Sequence, residues 1–261
     1  MCAMRTHWQR FTRIGAALAA LTATVAFAAN IDEGIISYWT NDANTINGDV
    51  LQDTVGDNDG QILGAKSVPG HVNEALAFEG GAQHVRFTPV PMAENITITA
   101  WLNPDKWNPV AYSEVLDTWA PGGGSHWYRL GFDNTGLLEF VADTGDAVGA
   151  RESVIWDAGS LDGWHHVAGV RDFAAKTLRI YVDAAQVAER PFAFTTEVNP
   201  QNLVMGMRGD ATAEPYYGVI DEVGLFNTAL EPNDLQKLMT SGLDVYAIGK
   251  TATIWARLKR Q

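Results

Sequence analysis

The sequence predicts an all-β protein, an antiparallel β-sandwich finished by one short C-terminal helix. Three observations predict it. Short apolar runs recur with a two-residue period, separated by Gly, Asn, Asp and Pro. Only one stretch has the spacing and the end residues of a helix. The single cysteine, Cys2, precedes an apolar leader, so no disulfide serves the rest of the chain and a conventional hydrophobic core must hold it.

The leader comes first. Arg5, Arg10 and Arg13 form a basic n-region, Ile14 to Phe27 is an apolar run too short to span a bilayer comfortably, and Ala26-Phe27-Ala28 offers a cleavage signal. Residues 1–28 therefore read as a secretory signal peptide, with an uncleaved anchor as the other reading. Export without cysteine fits a bacterial periplasm or exterior. Residues 29–245 read as one domain, and 246–261 as a basic tail carrying Trp255, either packed or frayed.

Within the domain the predicted strands are Ile35–Thr40, Gln61–Gly64, Ala75–Glu79, His84–Thr88 and Asn95–Asn103. Then follow Trp127–Phe132, Leu137–Ala142, Glu152–Trp156, Gly163–Arg171, Lys176–Asp183, Gln186–Glu189, Leu203–Met207 and Gly218–Phe226. Asn95–Asn103 alternates most cleanly, with Ile96, Ile98, Ala100 and Leu102 on one face. Gly218–Phe226 carries adjacent acids, Asp221 and Glu222, so strict alternation sets them on opposite faces. Asp221 would then share its face with Val219, Val223 and Leu225, and Glu222 with Ile220 and Phe226. At least one acid then sits beside core residues and needs a cation, a basic partner or hydrogen-bond donors. The helix is predicted after Pro232, with Asp234 near its start, Leu235 and Leu238 spaced to pack, and Gly242 at its end.

The chain carries 18 basic and 31 acidic residues, net −13, and loss of the leader takes this to −16. That excludes nucleic acid and anionic membrane surfaces as natural partners, and no membrane insertion is expected once the leader is removed. It suits divalent cations and, equally, a merely solvated acidic surface.

Several segments resemble one family in order. They are Ile36-Ser-Tyr-Trp39, the loop Asp53 to Gly60, Asn73-Glu-Ala-Leu-Ala-Phe-Glu-Gly80 and Ile98-Thr-Ala-Trp-Leu102. Gly163-Trp-His-His-Val-Ala-Gly169, Leu178-Arg-Ile-Tyr-Val-Asp183 and Ile220-Asp-Glu-Val223 with Asn227-Thr-Ala-Leu230 follow. Together they resemble the laminin-G-like branch of the concanavalin-A-like lectin/glucanase jelly rolls. The resemblance implies a jelly-roll sandwich. It also implies a structural calcium between the opening loop and the last strand, held by Asp42, Asp53 and Asp221 with backbone carbonyls. The competing reading is an Asx-rich turn without an ion. The family has Gly after Tyr-Val-Asp; here Ala184 stands there, which implies either a strained turn or a longer loop. His165 and His166 are adjacent, hence poorly placed to share a zinc.

Sugars stack on aromatic rings and offer hydroxyls to Asp, Asn, Arg and His. Trp107, Trp119, His126, Trp127, Tyr216 and Tyr217 lie in or beside predicted loops, and Pro121-Gly-Gly-Gly124 could carry rings to a rim. Each ring has core packing as its alternative role. Trp119, His126, Trp127, Tyr216 and Tyr217 are the candidate ligand-binding residues. No catalytic residues are assigned: there is no E-x-D-x-x-E run, G-x-S-x-G or H-E-x-x-H, and Glu139 and Asp143 have no third acid beside them. The sequence thus points to a secreted recognition module for a glycan or an extracellular protein surface, stabilised by calcium. A structural or adhesive module without a sugar site, and a glycan-cleaving enzyme, are the alternatives.

Overall fold

The computed structural model describes residues 31–91, 93–105, 112–119, 126–143, 151–157, 161–193 and 202–243. The expected leader, the basic tail, Trp107 and the loop 121–124 lie outside the described residues.

In chain order the elements are a short α1 (Ile31–Gly34), β1 (Ile35–Trp39), β2 (Ile46–Asn47), β3 (Val50–Leu51), β4 (Gly60–Leu63) and β5 (Lys66–Pro69). Then come β6 (Glu74–Glu79), β7 (His84–Phe87), β8 (Ile96–Pro104), β9 (Ser113–Trp119), β10 (His126–Phe132) and β11 (Leu138–Asp143). The remainder are β12 (Arg151–Trp156), β13 (His165–Asp172), β14 (Thr177–Val182), β15 (Ala185–Pro191), β16 (Leu203–Met205), β17 (Tyr217–Phe226) and α2 (Pro232–Ser241).

Among the described residues two antiparallel sheets face each other. One has eight strands in the order β15-β14-β13-β8-β17-β6-β5, with β1 alongside β17; the other has nine, β12-β11-β10-β9-β16-β7-β4-β3-β2. Ile96, Ile98, Ala100 and Leu102 of β8 line one inner wall, as their alternation predicts, and Leu130, Phe132, Phe140 and Leu203 line the other. Each of the larger of these side chains (Ile, Leu, Phe), fully buried, contributes about 1.5–3 kcal/mol. The outer surface of the eight-stranded sheet is part-covered by α2, whose Leu235 and Leu238 pack with Ala168, Val170, Tyr181 and Phe226. Pro232 starts that helix and Gly242, at φ 61°, ends it by donating its N–H to the Leu238 carbonyl.

Three expectations change, and one open alternative is decided. Strand β9, with its sequence Ser-Glu-Val-Leu-Asp-Thr-Trp, and the edge strand β5 are absent from the predicted set. In β17 a bulge between Asp221 and Gly224, with Glu222 at φ 48°, breaks the expected alternation. Ile220, Val223 and Leu225 therefore share the interior, while Phe226 lies under α2. Asp221 and Glu222 both end up on the outer side, facing the turn at 71–72 and Tyr38 respectively. Finally, the β14–β15 turn keeps its two residues. Asp183 and Ala184 take φ 50° and 62°, the left-handed pair that such a turn demands, so alanine carries the strain.

Candidate ligand-binding face

The outer face of the nine-stranded sheet is built on a second bulge. Leu116 pairs with Leu130, but Glu114 pairs with Gly131, one residue out of step. Residues three apart on a regular strand face opposite ways. The extra residue in β9 brings Glu114 and Asp117 to the same outer face, where Arg129 of β10 and Glu139 of β11 also lie. Arg129 is wholly buried there. Its Nε donates to Glu114 Oε2 at 2.5 Å, its Nη1 to Glu139 Oε2 at 2.8 Å, and the Tyr112 ring covers the guanidinium at 4.7 Å. Gly131 leaves the room, since a Cβ there would sit 2.4 Å from Glu114 Oε2. Burial pushes the Glu114 and Asp117 carboxyls well up, opposed at Glu114 by Arg129 and at Asp117 by an N–H from Gly209 at 2.9 Å. Glu139 thus does have acidic neighbours; the bulge hides them from a reading of spacing. These acids are locked beneath the surface and act as a rigid footing.

Above that footing the segment 206–216 crosses the face. Arg208 is its hub: it donates to Asp210 through Nε at 3.0 Å and Nη2 at 2.8 Å, to Thr212 at 2.8 Å and to Glu214 at 3.4 Å. The guanidinium so fixed lies 4.7 Å from the centre of the half-buried Trp119 ring. His126 is the Cα partner of Trp119 in the β9–β10 ladder. On the other side of β9, Asp117 pairs with Val204, Val204 with Arg86, and Arg86 with Gln61. Arg86, Gln61, Thr88 and Asn202 are exposed. The face thus offers one oriented indole beside amide, hydroxyl and guanidinium groups.

The five predicted ligand-binding residues do not form one platform. Trp119 and His126 are Cα partners across the β9–β10 ladder, and Trp127 follows His126 along β10. Tyr216 is 1% exposed and packs in the interior near Phe78 and Phe132. Burial drives its phenol well up, and it is a core residue here. Tyr217 belongs to the other sheet, opposite Glu79, with its ring over Gly80, where a Cβ would come within 2.2 Å of it.

The three expected calcium ligands do not converge either. Asp53 spends both oxygens on peptide N–H groups of β1 and its own loop: Oδ1 accepts those of Tyr38 (3.0 Å), Val55 (3.1 Å) and Gly56 (2.9 Å), and Oδ2 that of Asn58 (3.2 Å). Asp221 Oδ2 accepts His71 and Val72 N–H, both at 2.9 Å, and Asp42 Oδ1 accepts Glu74 N–H at 3.2 Å. Asp42 and Asp221 therefore grip one turn, 71–74, with peptide donors where cations would stand. Burial, with Glu222 adding repulsion, pushes the Asp221 carboxyl up to about 7. Among the described residues no group of three or more His, Cys, Asp or Glu side chains is disposed to hold a metal. The donor set as folded does not fit calcium.

A second aromatic group lies outside the eight-stranded sheet, and the sequence did not single it out. The exposed His71 ring stacks on Trp101 at 3.5 Å, Trp164 stands 5.9 Å from His71, and buried His166 meets Trp101 edge-on at 5.5 Å. His165 contacts Asp183 at 2.8 Å, so the two histidines do diverge. Among the described residues no helix is long and apolar enough to cross a membrane.

Known folds agree with this architecture. The chain resembles Domain 4 of AbnA, an extracellular arabinanase from Geobacillus stearothermophilus solved in complex with arabinotriose. The TM-score is 0.60 at 16% identity, covering 78% of this chain and 97% of that one. It also resembles the binding domain of Paraclostridial Mosquitocidal Protein 1 (TM-score 0.63, 12% identity, 82% of this chain and 54% of that one). A third likeness is the binding domain of botulinum neurotoxin serotype C1 (TM-score 0.62, 15% identity, 81% and 53%). The chain thus spans about half the length of these toxin domains and nearly all of the arabinanase domain. No curated protein matches it. Its residues 79–236 match the family model for the concanavalin A-like lectin/glucanases superfamily. Two stacked antiparallel sheets and a match over more than half of the sequence lead to one statement: the chain belongs to the concanavalin A-like lectin/glucanases superfamily.

Proposed function

We propose that this chain is a secreted, non-catalytic carbohydrate-recognition module that holds its glycan on the outer face of the nine-stranded sheet. The observation that carries this is the Trp119 indole, oriented by Arg208, on a face where the neighbouring strands expose Asn202, Arg86, Thr88 and Gln61. A ring already held in place loses little freedom on stacking, so more of the contact energy remains for binding. The acids at this face are engaged by arginines, Glu114 and Glu139 by the buried Arg129 and Asp210 and Glu214 by Arg208, rather than presented as a pair across a glycosidic bond, which supports binding over cleavage. The leader at 1–28 supports export, and the fold shared with an arabinotriose-bound domain supports a glycan ligand over a purely adhesive role.

The test is binding of the full chain to a glycan array, followed by calorimetry on the best ligand. Trp119→Ala should weaken affinity about five- to thirtyfold, since stacking on one ring is worth on the order of 1–2 kcal/mol, and EDTA should change nothing. Full affinity in Trp119→Ala would reject the site, and loss of binding in EDTA would restore calcium to it.

A further inference from the structure

The identity of the ligand can be narrowed, resting on the reading above. In a chain with 31 acidic and 18 basic residues, a cation on the surface finds a partner easily. Lys66 pairs with Glu79, Arg179 with Asp172 and Glu189, Arg208 with Asp210 and Glu214, and Lys237 with Asp234. Arg129 is buried with two glutamates, Arg171 donates to the Glu94 carbonyl, Arg190 to the Ser153 carbonyl, and Lys176 sits over Phe173. Among the described side chains Arg86 alone has no carboxylate, carbonyl or ring to engage it. It is exposed, and it stands mid-sheet on β7, between β4 and β16.

Its place on the face gives the free guanidinium a purpose. Arg86 is in register with Val204, and Val204 with Asp117, two residues before Trp119 on the same side of β9. Arg86 is thus two strand spacings, about 10 Å, from β9, a span that one or two sugar rings cover. Gln61 stands directly beside Arg86 as its partner in β4, and its Nε2 is taken up by the Asp49 carbonyl at 3.2 Å. The Arg86 charge already reaches His84 on the same face, where it adds to burial in holding that imidazole below its usual range.

We infer that the glycan is anionic, and that while one of its rings stacks on Trp119 its carboxylate or sulfate is received by Arg86. A guanidinium takes a planar carboxylate with two parallel N–H donors, which a neutral hydroxyl cannot match. In a strongly acidic protein an anion is drawn to a cation that no carboxylate neutralises.

The experiment is calorimetry with the full chain at low and high salt, using an oligogalacturonide, a sulfated oligosaccharide and a neutral arabino-oligosaccharide. One of the two anionic ligands should bind at least tenfold tighter than the neutral one at low salt and lose that margin at high salt; which of them does so tells carboxylate from sulfate. Arg86→Gln, a surface change that should leave the melting temperature in place, should abolish the margin, while Trp119→Ala should weaken all ligands. Equal binding of neutral and anionic glycans, unchanged in Arg86→Gln, would overturn the inference and leave the carbohydrate reading standing. No binding of any glycan would overturn both.

Discussion

Ala184 shows how much a single residue can withhold from this fold. It occupies a left-handed position, at φ 62°, in the β14–β15 turn, where glycine adopts the same angles freely. An L-residue pays on the order of 1–2 kcal/mol for that conformation. Ala184→Gly should therefore raise stability by about 1 kcal/mol, part of the relief being lost to the greater freedom of glycine in the unfolded chain; the shift in urea midpoint measures it. His166 acts through protonation. Burial between strands, only partly offset by Asp183, depresses its imidazole to about 4. The folded state thus binds its proton later than the unfolded state, whose value is about 6.5. The stability held by neutral His166 is complete above about pH 6.5 and drains as pH falls towards 4, by up to about 1.4 kcal/mol per unit. Asp221 and Glu222, both raised to about 7 chiefly by burial, push in the opposite sense over the same range. The comparison to make is wild type against His166→Gln from pH 7 to 4. Their stability difference should shrink as pH falls, and a constant difference would show that His166 is not the group responsible.

At the scale of elements, the strands that were legible are the regular ones. β8 shows its apolar face at every second residue, and α2 shows its proline, its paired leucines and its glycine. What was not legible is the short edge strand β5 and what lies at the bulges in β9 and β17. In β9 the inserted residue runs the apolar pair Val115-Leu116 together and surrounds it with acids, so the strand leaves no two-residue signature, and the nearness of Glu114, Asp117 and Glu139 goes unseen. In β17 the left-handed Glu222 reverses the phase halfway along, so a strict alternation rule puts half the strand on the wrong side. Partners from distant parts of the chain, such as the peptide N–H groups of 71 and 72 for Asp221, leave no local trace at all. The charge network that the β9 bulge creates has a measurable weight. Removing Arg129 strands Glu114 and Glu139 without a counter-charge, so Arg129→Leu should cost about 3–5 kcal/mol. Glu114→Gln should cost much less: it keeps an acceptor for Arg129 and removes one charge from an acid-rich site in which Glu114 Oε1 has no partner. Equal losses in the two variants would contradict this account of the network.

At the scale of the whole molecule, the sandwich architecture follows from composition and pattern, because two inner walls of alternating apolar residues have one economical way to leave water. The binding face does not follow in the same way. Trp119 could be named from its surroundings in the sequence, but Arg208, Arg86 and Gln61 join it only through the order in which β9, β16, β7 and β4 line up. That order sets a further condition, on how the protein is made. The first strand, β1, lies against the last, β17, and β17 is also the neighbour of β6 and β8. As the chain leaves the ribosome, the earliest segment has no seat until the final strand has emerged. The eight-stranded sheet therefore closes only after β17 has been made, and any factor that holds the nascent chain before then meets an unclosed sandwich.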